Sequence, residues 1–163
     1  MEIERKFTIK HLPDNLDLYP VHTIEQAYLN TDPVIRIRRE DDEFYMTYKG
    51  QGMMTREEHN LPLNRESYYH LLAKADGNII TKKRYLIPLL HPQFAAGGPR
   101  PPEDYSLTIE LDVFEPPFAP LILAEVEFGS KNAAETFLPP DWFKEDVTYN
   151  ASYHNSYLSM RKL

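Results

Sequence analysis

Five short segments of this 163-residue chain place like charges two residues apart. Glu2 with Glu4, Glu110 with Asp112 and Glu125 with Glu127 are acidic doublets, and Arg36 with Arg38 and Lys82 with Arg84 are basic ones. In an extended strand such residues share a face, roughly 6.5 Å apart. Two carboxylates at that separation repel by about 2.5 kcal/mol at an effective dielectric of about 20, and a cation would relieve the repulsion. Lys6, Lys49, Arg56 and Glu58 fall on the same kind of face. Acids and bases balance there, so the net charge of -7 must reside on loops and outer surface. A solvated sheet face usually mixes Thr, Ser, Lys, Gln and Glu. Repeated same-sign doublets opposite apolar partners form a different pattern, one suited to an enclosed charged interior.

The two signs suit two halves of one chemistry. Basic doublets fit a polyanion with several phosphate groups, because arginine's planar fork binds phosphate oxygens bidentately. Acidic doublets fit hard divalent cations shared with substrate phosphates. Together they point to metal-assisted phosphoanhydride chemistry, in which a cation bridges phosphate oxygens and lowers the pKa of an attacking water. Other classes are excluded or disfavoured. There is no Walker-type glycine loop. With no cysteine, a thiol nucleophile, a thiolate metal site and a disulfide framework are impossible. The six histidines show no metal-ligand spacing, and no Ser or Thr sits in a nucleophile elbow. The acidic balance argues against a general nucleic-acid binder. No apolar run approaches the ~18 residues of a membrane span, and the expected location is the cytoplasm.

The elements that must position these residues are mostly strands. Period-two alternation predicts strands over residues 1–7, 24–30, 34–39, 43–49, 54–61, 79–89, 107–114 and 121–128. Asn64 looks like the N-cap of a helix over 65–75, with Tyr68, Leu71, Leu72 and Ala75 as its core face and Gly77 as its stop. Ser130 is the expected cap of a short helix over 131–138. A last helix is expected from Thr148 or Asn150, carrying Tyr153, Tyr157, Leu158 and Arg161. Trp142 and Phe143 are expected to seal the core. Residues 91–105, rich in proline and glycine, are expected to form a hairpin loop and not a domain linker. The fold class is therefore mainly β (α+β), a single domain over 1–163 built as an antiparallel barrel or sandwich with a few covering helices.

In order along the chain, Glu2-x-Glu4-x-Lys6, Arg36-x-Arg38, Lys49, Arg56-x-Glu58, Lys82-x-Arg84, Glu110-x-Asp112 and Glu125-x-Glu127 resemble the CYTH domain of the triphosphate tunnel metalloenzymes. The closing Glu145-Asp146-Val147-Thr148 and Tyr153-His154-Asn155 add to the likeness. The resemblance implies an eight-stranded antiparallel tunnel. It implies phosphate binding by Lys6, Arg36, Arg38, Lys49, Arg56, Lys82 and Arg84. One or two Mg2+ or Mn2+ ions would be held by Glu2, Glu4, Glu110, Asp112, Glu125 and Glu127, with Lys6 and Glu58 as candidate catalytic groups. Asn60 stands where similar chains often carry another acid. The implied activity is hydrolysis of inorganic triphosphate, with adenylate cyclase, nucleoside or thiamine triphosphatase and a non-catalytic polyphosphate-binding module as alternatives. The expected partner is a small-molecule triphosphate or polyphosphate. A homodimer is allowed, and neither membrane nor nucleic acid is expected.

Overall fold

The computed structural model describes residues 1–163. Its strands are β1 (Glu2–Ile9), β2 (Val21–Thr31), β3 (Val34–Glu40), β4 (Glu43–Lys49), β5 (Thr55–Arg56), β6 (Glu58–Leu63), β7 (Asp76–Leu90), β8 (Gln93–Phe94), β9 (Ser106–Phe114), β10 (Ile122–Glu127), β11 (Phe137–Leu138) and β12 (Phe143–Asp146). The helices are α1 (Arg65–Leu72), α2 (Lys131–Thr136) and α3 (Asn155–Met160), with 3-10 turns at Leu16–Leu18 and Ala151–Tyr153. Going round the wall, the order is β1, β10, β9, β7, β2, β3, β4 and the bent β6–β5, eight members with every neighbouring pair antiparallel. The ring is nearly closed, because β5 returns to β1 through only the pairs Glu2–Arg56 and Ile3–Thr55.

That closure corrects the expected unbroken strand over 54–61. The segment divides at Glu57, since its first half pairs with β1 and its second with β4. Glu57 is exposed at the corner, and its carbonyl accepts from Gly50 N at 3.0 Å. A strand that alternation did not predict, β12, pairs with the far end of β1 and begins at Phe143.

The outward faces of the wall are apolar and covered. Phe7, Ile109, Leu111, Ala124 and Val126 pack with Ala133, Ala134, Phe137 and Phe143, while Ala27 and Ile37 pack beneath the fully buried Tyr68 of α1. The inward faces are charged over most of their length. Toward α3 they turn apolar: β7 runs Arg84, Lys82, Ile80; β9 runs Glu110, Asp112, Phe114; β10 runs Glu127, Glu125, Leu123. Ile80, Phe114 and Leu123 form one buried cluster with Leu158 of α3, which seals that end of the barrel. Changing Leu158 to Ala should therefore cost about 2 to 5 kcal/mol by cavity formation, read as a lower midpoint in urea denaturation.

Helix α1 starts as expected at Asn64, whose side chain and Ser67 form a reciprocal cap. It ends at Leu72, short of Ala75, and Gly77 lies in β7 instead of stopping the helix. There its φ of 74° accommodates an irregular pairing with β2, and a Cβ would overlap the carbonyl oxygen of Ser159. Helix α2 gives way at Phe137 to β11, which pairs with β8. The 91–105 loop joins paired strands β7 and β9. It is pinned on the outside of the barrel by Ala95 N to Thr136 O at 2.7 Å and Asn132 Nδ2 to Gly97 O at 3.1 Å. None of its residues borders the internal cavity. The expected continuous C-terminal helix is interrupted at His154, whose ψ of 142° is extended.

Candidate active site: a charged cavity inside the barrel

The inward faces enclose a cavity of about 390 Å³. Of the charged positions expected from the sequence, all but Lys82 and Asp112 line it. Those two are brought together beneath its wall: Lys82 Nζ lies 2.8 Å from Asp112 Oδ2, and neither side chain is exposed. The structure thus departs from the expectation that Lys82 meets phosphate and Asp112 meets metal. Asp112 is fully used by Lys82 and by a bidentate contact from Arg84, Nε to Oδ1 at 2.8 Å and Nη2 to Oδ2 at 2.9 Å.

The remaining bases differ sharply in how well they are satisfied. Arg84 also donates to Glu110 at 3.0 Å and lies 3.6 Å from Glu125, so against the cost of burial these acids hold it well above its ordinary pKa. Lys49 pairs with Glu2 at 2.9 Å and Glu58 at 3.4 Å. Lys6 lies 3.3 Å from Glu125 and donates to the Tyr153 carbonyl at 3.3 Å. Arg38 is held by Gln26 Oε1 and, at 3.3 Å, by the Tyr45 hydroxyl. Arg36 has no carboxylate at ion-pair distance. Its single bond is Nη2 to Thr47 Oγ1 at 2.9 Å, and its buried Nε has no partner. Burial and the neighbouring Arg38 push Arg36 down to about 10.

The acids show the mirror situation. The Glu4 carboxylate has no hydrogen bond or ion pair, and its register partner on β10 is Glu127; Glu125 stands opposite Glu110. Directly opposed like charges are destabilising. Burial, with Glu125 and Glu2 adding to it, pushes Glu4 up to about 8. Burial and a hydrogen bond to Glu58 push Glu2 up to about 7, and that same bond helps to hold Glu58 down at about 2. Burial also raises Glu110. Glu125 is held well below the usual carboxylate range by Lys6 and Arg84 despite its burial.

Several lining residues had not been singled out as site groups. Glu40 and Tyr45 continue the alternation of Arg36–Arg38 and of Lys49–Thr47, so their face was legible. Tyr28 lies opposite Arg36 across the β2–β3 pair. His154, Asn155 and Ser156 reach the wall only because the C-terminal helix is broken. There His154 Nε2 lies 2.9 Å from the Thr148 carbonyl oxygen, and burial followed by Lys6 lowers its pKa. Asn60, at the missing-acid position, accepts from Thr47 Oγ1 at 2.6 Å.

Residues 1–134 match the family described as CYTH domain. The chain is also 35% identical over 162 residues to an inorganic triphosphatase of Nitrosomonas europaea, covering 98% of this chain and 97% of the relative. This chain belongs to the CYTH family. A crystal structure of an inorganic triphosphatase superposes on the CYTH chain with a TM-score of 0.66 at 32% identity, over 99% of this chain and 96% of the other. A Pyrococcus horikoshii protein, 18% identical with a TM-score of 0.55 over 83% of each chain, shares the fold.

A divalent cation fits the acid side of this CYTH cavity. The donor set is all carboxylate, as hard cations require, and Glu4 is a wall carboxylate without a partner. No three acidic or imidazole groups already converge into a cage, so a cation held there would complete its shell with oxygens from a bound anion.

Proposed function

We propose that this CYTH protein hydrolyses a phosphoanhydride of inorganic triphosphate with one or two Mg2+ or Mn2+ ions, as a cytoplasmic enzyme in which residues 1–163 act as one unit. The observation that carries the proposal is the pair of unmet charges on one cavity wall: a buried cation, Arg36, without an anion, and a carboxylate, Glu4, without a cation. A metal–phosphate complex supplies both missing partners at once. The name and the whole-length similarity of the Nitrosomonas relative support the choice of substrate.

In this reading Arg36, Arg38, Lys49, Arg56, Arg84 and Lys6 bind and align the phosphates, while Glu2, Glu4, Glu110, Glu125 and Glu127 hold the cation. When bound, the cation supplies charge neutralisation on the phosphates and lowers the pKa of the attacking water. Lys6, facing the cavity between Glu125 and the Tyr153 carbonyl, stabilises charge growing on the departing phosphate. Glu58 is held near 2, which makes it a poor proton acceptor near neutral pH. Its part is to orient Lys49 and Glu2. Lys82 and Asp112 fix the Arg84 guanidinium from beneath.

A phosphate-release panel across pyrophosphate, triphosphate, longer polyphosphate, ATP and thiamine triphosphate tests this. Triphosphate should be turned over best, pyrophosphate poorly, and release should vanish in EDTA. Retention of polyphosphate in EDTA without any release would instead indicate a binding module. A clear preference for ATP, with cyclic AMP found by chromatography, would indicate a cyclase.

A further inference from the structure

The segment His154–Ser156 lies in the cavity wall, and Asn155 is its connecting residue. Its Oδ1 accepts from Gln26 Nε2 and from Lys82 Nζ, both at 3.1 Å. Because an ammonium can only donate, the amide oxygen must face Lys82 and the amide NH2 must point away from it. Gln26 and Lys82 have no exposure, and neither borders the cavity, whereas Asn155 does. The Asn155 side chain therefore stands between the cavity and a buried ammonium. That ammonium is already engaged, by Asp112 at 2.8 Å and over the Phe114 ring at 5.2 Å. Gln26 in turn uses its Oε1 to hold Arg38. Behind this layer the barrel is filled by the apolar cluster that includes Phe114.

Resting on the triphosphatase reading above, we infer that Asn155 sets the length of phosphate chain the site accepts. A chain aligned past Arg36 and Arg38 ends at Asn155, whose free NH2 donates to the innermost phosphate while its oxygen keeps Lys82 out of reach. Without that side chain, Lys82 Nζ and Gln26 Nε2 would open onto the cavity as two further donors, and a longer chain could advance onto them. Asn155 is a specificity residue in this account. It does not touch the anhydride that breaks.

The test compares kcat and KM for triphosphate, tetraphosphate and longer linear polyphosphate with Mg2+ in the wild type, Asn155→Ala, Asn155→Ser and Asn155→Asp, each first checked by a thermal melt. The wild type should prefer triphosphate. The Ala and Ser variants should raise the tetraphosphate-to-triphosphate ratio of kcat/KM by about tenfold or more, because a charge-assisted donor is gained only by the longer chain. The Asp variant keeps the acceptor toward Lys82 and Gln26 but lacks the donor. It should raise KM for every chain length and leave the ratio unchanged, which a merely structural role would not distinguish from Ala. If Ala or Ser folds, hydrolyses triphosphate and keeps the wild-type ratio within about twofold, the length-setting role is overturned while the triphosphatase reading stands. Should the wild type hydrolyse no linear phosphate at all, the triphosphatase reading itself fails.

Discussion

Replacing Glu4 by Gln is expected to make the metal-free protein more stable above pH 8 and to remove its turnover. In the fold, burial and the neighbouring Glu125 and Glu2 carry Glu4 from an ordinary 4.5 to about 8. The native state therefore binds this proton more tightly than the unfolded chain. The resulting stability is fully present below about 4.5 and is lost as pH rises through about 8. Every tenfold difference in proton affinity between the two states is worth about 1.4 kcal/mol. Coupling to Glu2, which is itself raised to about 7, lowers the return from a single site, so the expected loss is about 2 to 5 kcal/mol. In EDTA, wild-type urea midpoints should fall between pH 6 and pH 9, whereas those of Glu4→Gln should fall by much less, with Glu2, raised to about 7, still losing its proton there. Mg2+ with triphosphate should rescue the wild type at pH 9 by binding the native state, and should do little for the variant. Outer-shell partners of metal ligands are worth about tenfold to a hundredfold in activity. Loss of a direct ligand should therefore cost more than about a hundredfold in turnover. Near-normal turnover with Mg2+, or a midpoint at pH 9 below that of wild type, would remove Glu4 from the ligand set.

The wall of this barrel was legible in the sequence because period-two alternation is clean over Leu107–Val113 and Ile35–Arg38, where apolar side chains turn out and charges turn in. The same rule reached the site, since a strand face is a straight line through the sequence. What it could not resolve was depth. Lys82 and Arg84 look equivalent by spacing, yet one is sealed under Asn155 and the other lines the cavity. The change of the inward face from charge to Ile80, Phe114 and Leu123 was the available sign that this end of the barrel is closed. Breaks were the other failure. Residues 54–61 divide because two different strands claim its halves. The C-terminal run breaks at His154 because side-chain contacts inside the barrel, Asn155 to Gln26 and Lys82, outweigh the helical spacing of Tyr153 and Tyr157.

Two arginines on this face should respond to the same substitution in opposite ways. Arg36→Met keeps the aliphatic stem and removes a buried guanidinium that has no carboxylate, an unpartnered Nε and a like-charged neighbour in Arg38. Its one acceptor, Thr47 Oγ1, still donates to Asn60, so no buried group is orphaned by the change. The free protein should be at least as stable as wild type, which is the pattern of a site held ready for a ligand at the expense of the fold. The loss should appear with substrate. A charge-assisted contact to phosphate is worth about 1.5 to 3 kcal/mol, so KM for triphosphate should rise by about tenfold to a hundredfold. The thermal shift produced by triphosphate should shrink accordingly. Arg84→Met is expected to do the reverse to the free protein. It leaves Asp112 fully buried with Lys82 alone and frees Glu110 and Glu125 of their shared cation. Breaking a buried pair from one side costs about 3 to 5 kcal/mol. Urea denaturation of both variants without ligand, followed by steady-state kinetics on whichever remains folded, separates the two. If Arg36→Met proves as destabilised as Arg84→Met, Arg36 is already satisfied within the protein and the phosphate chain must be held elsewhere.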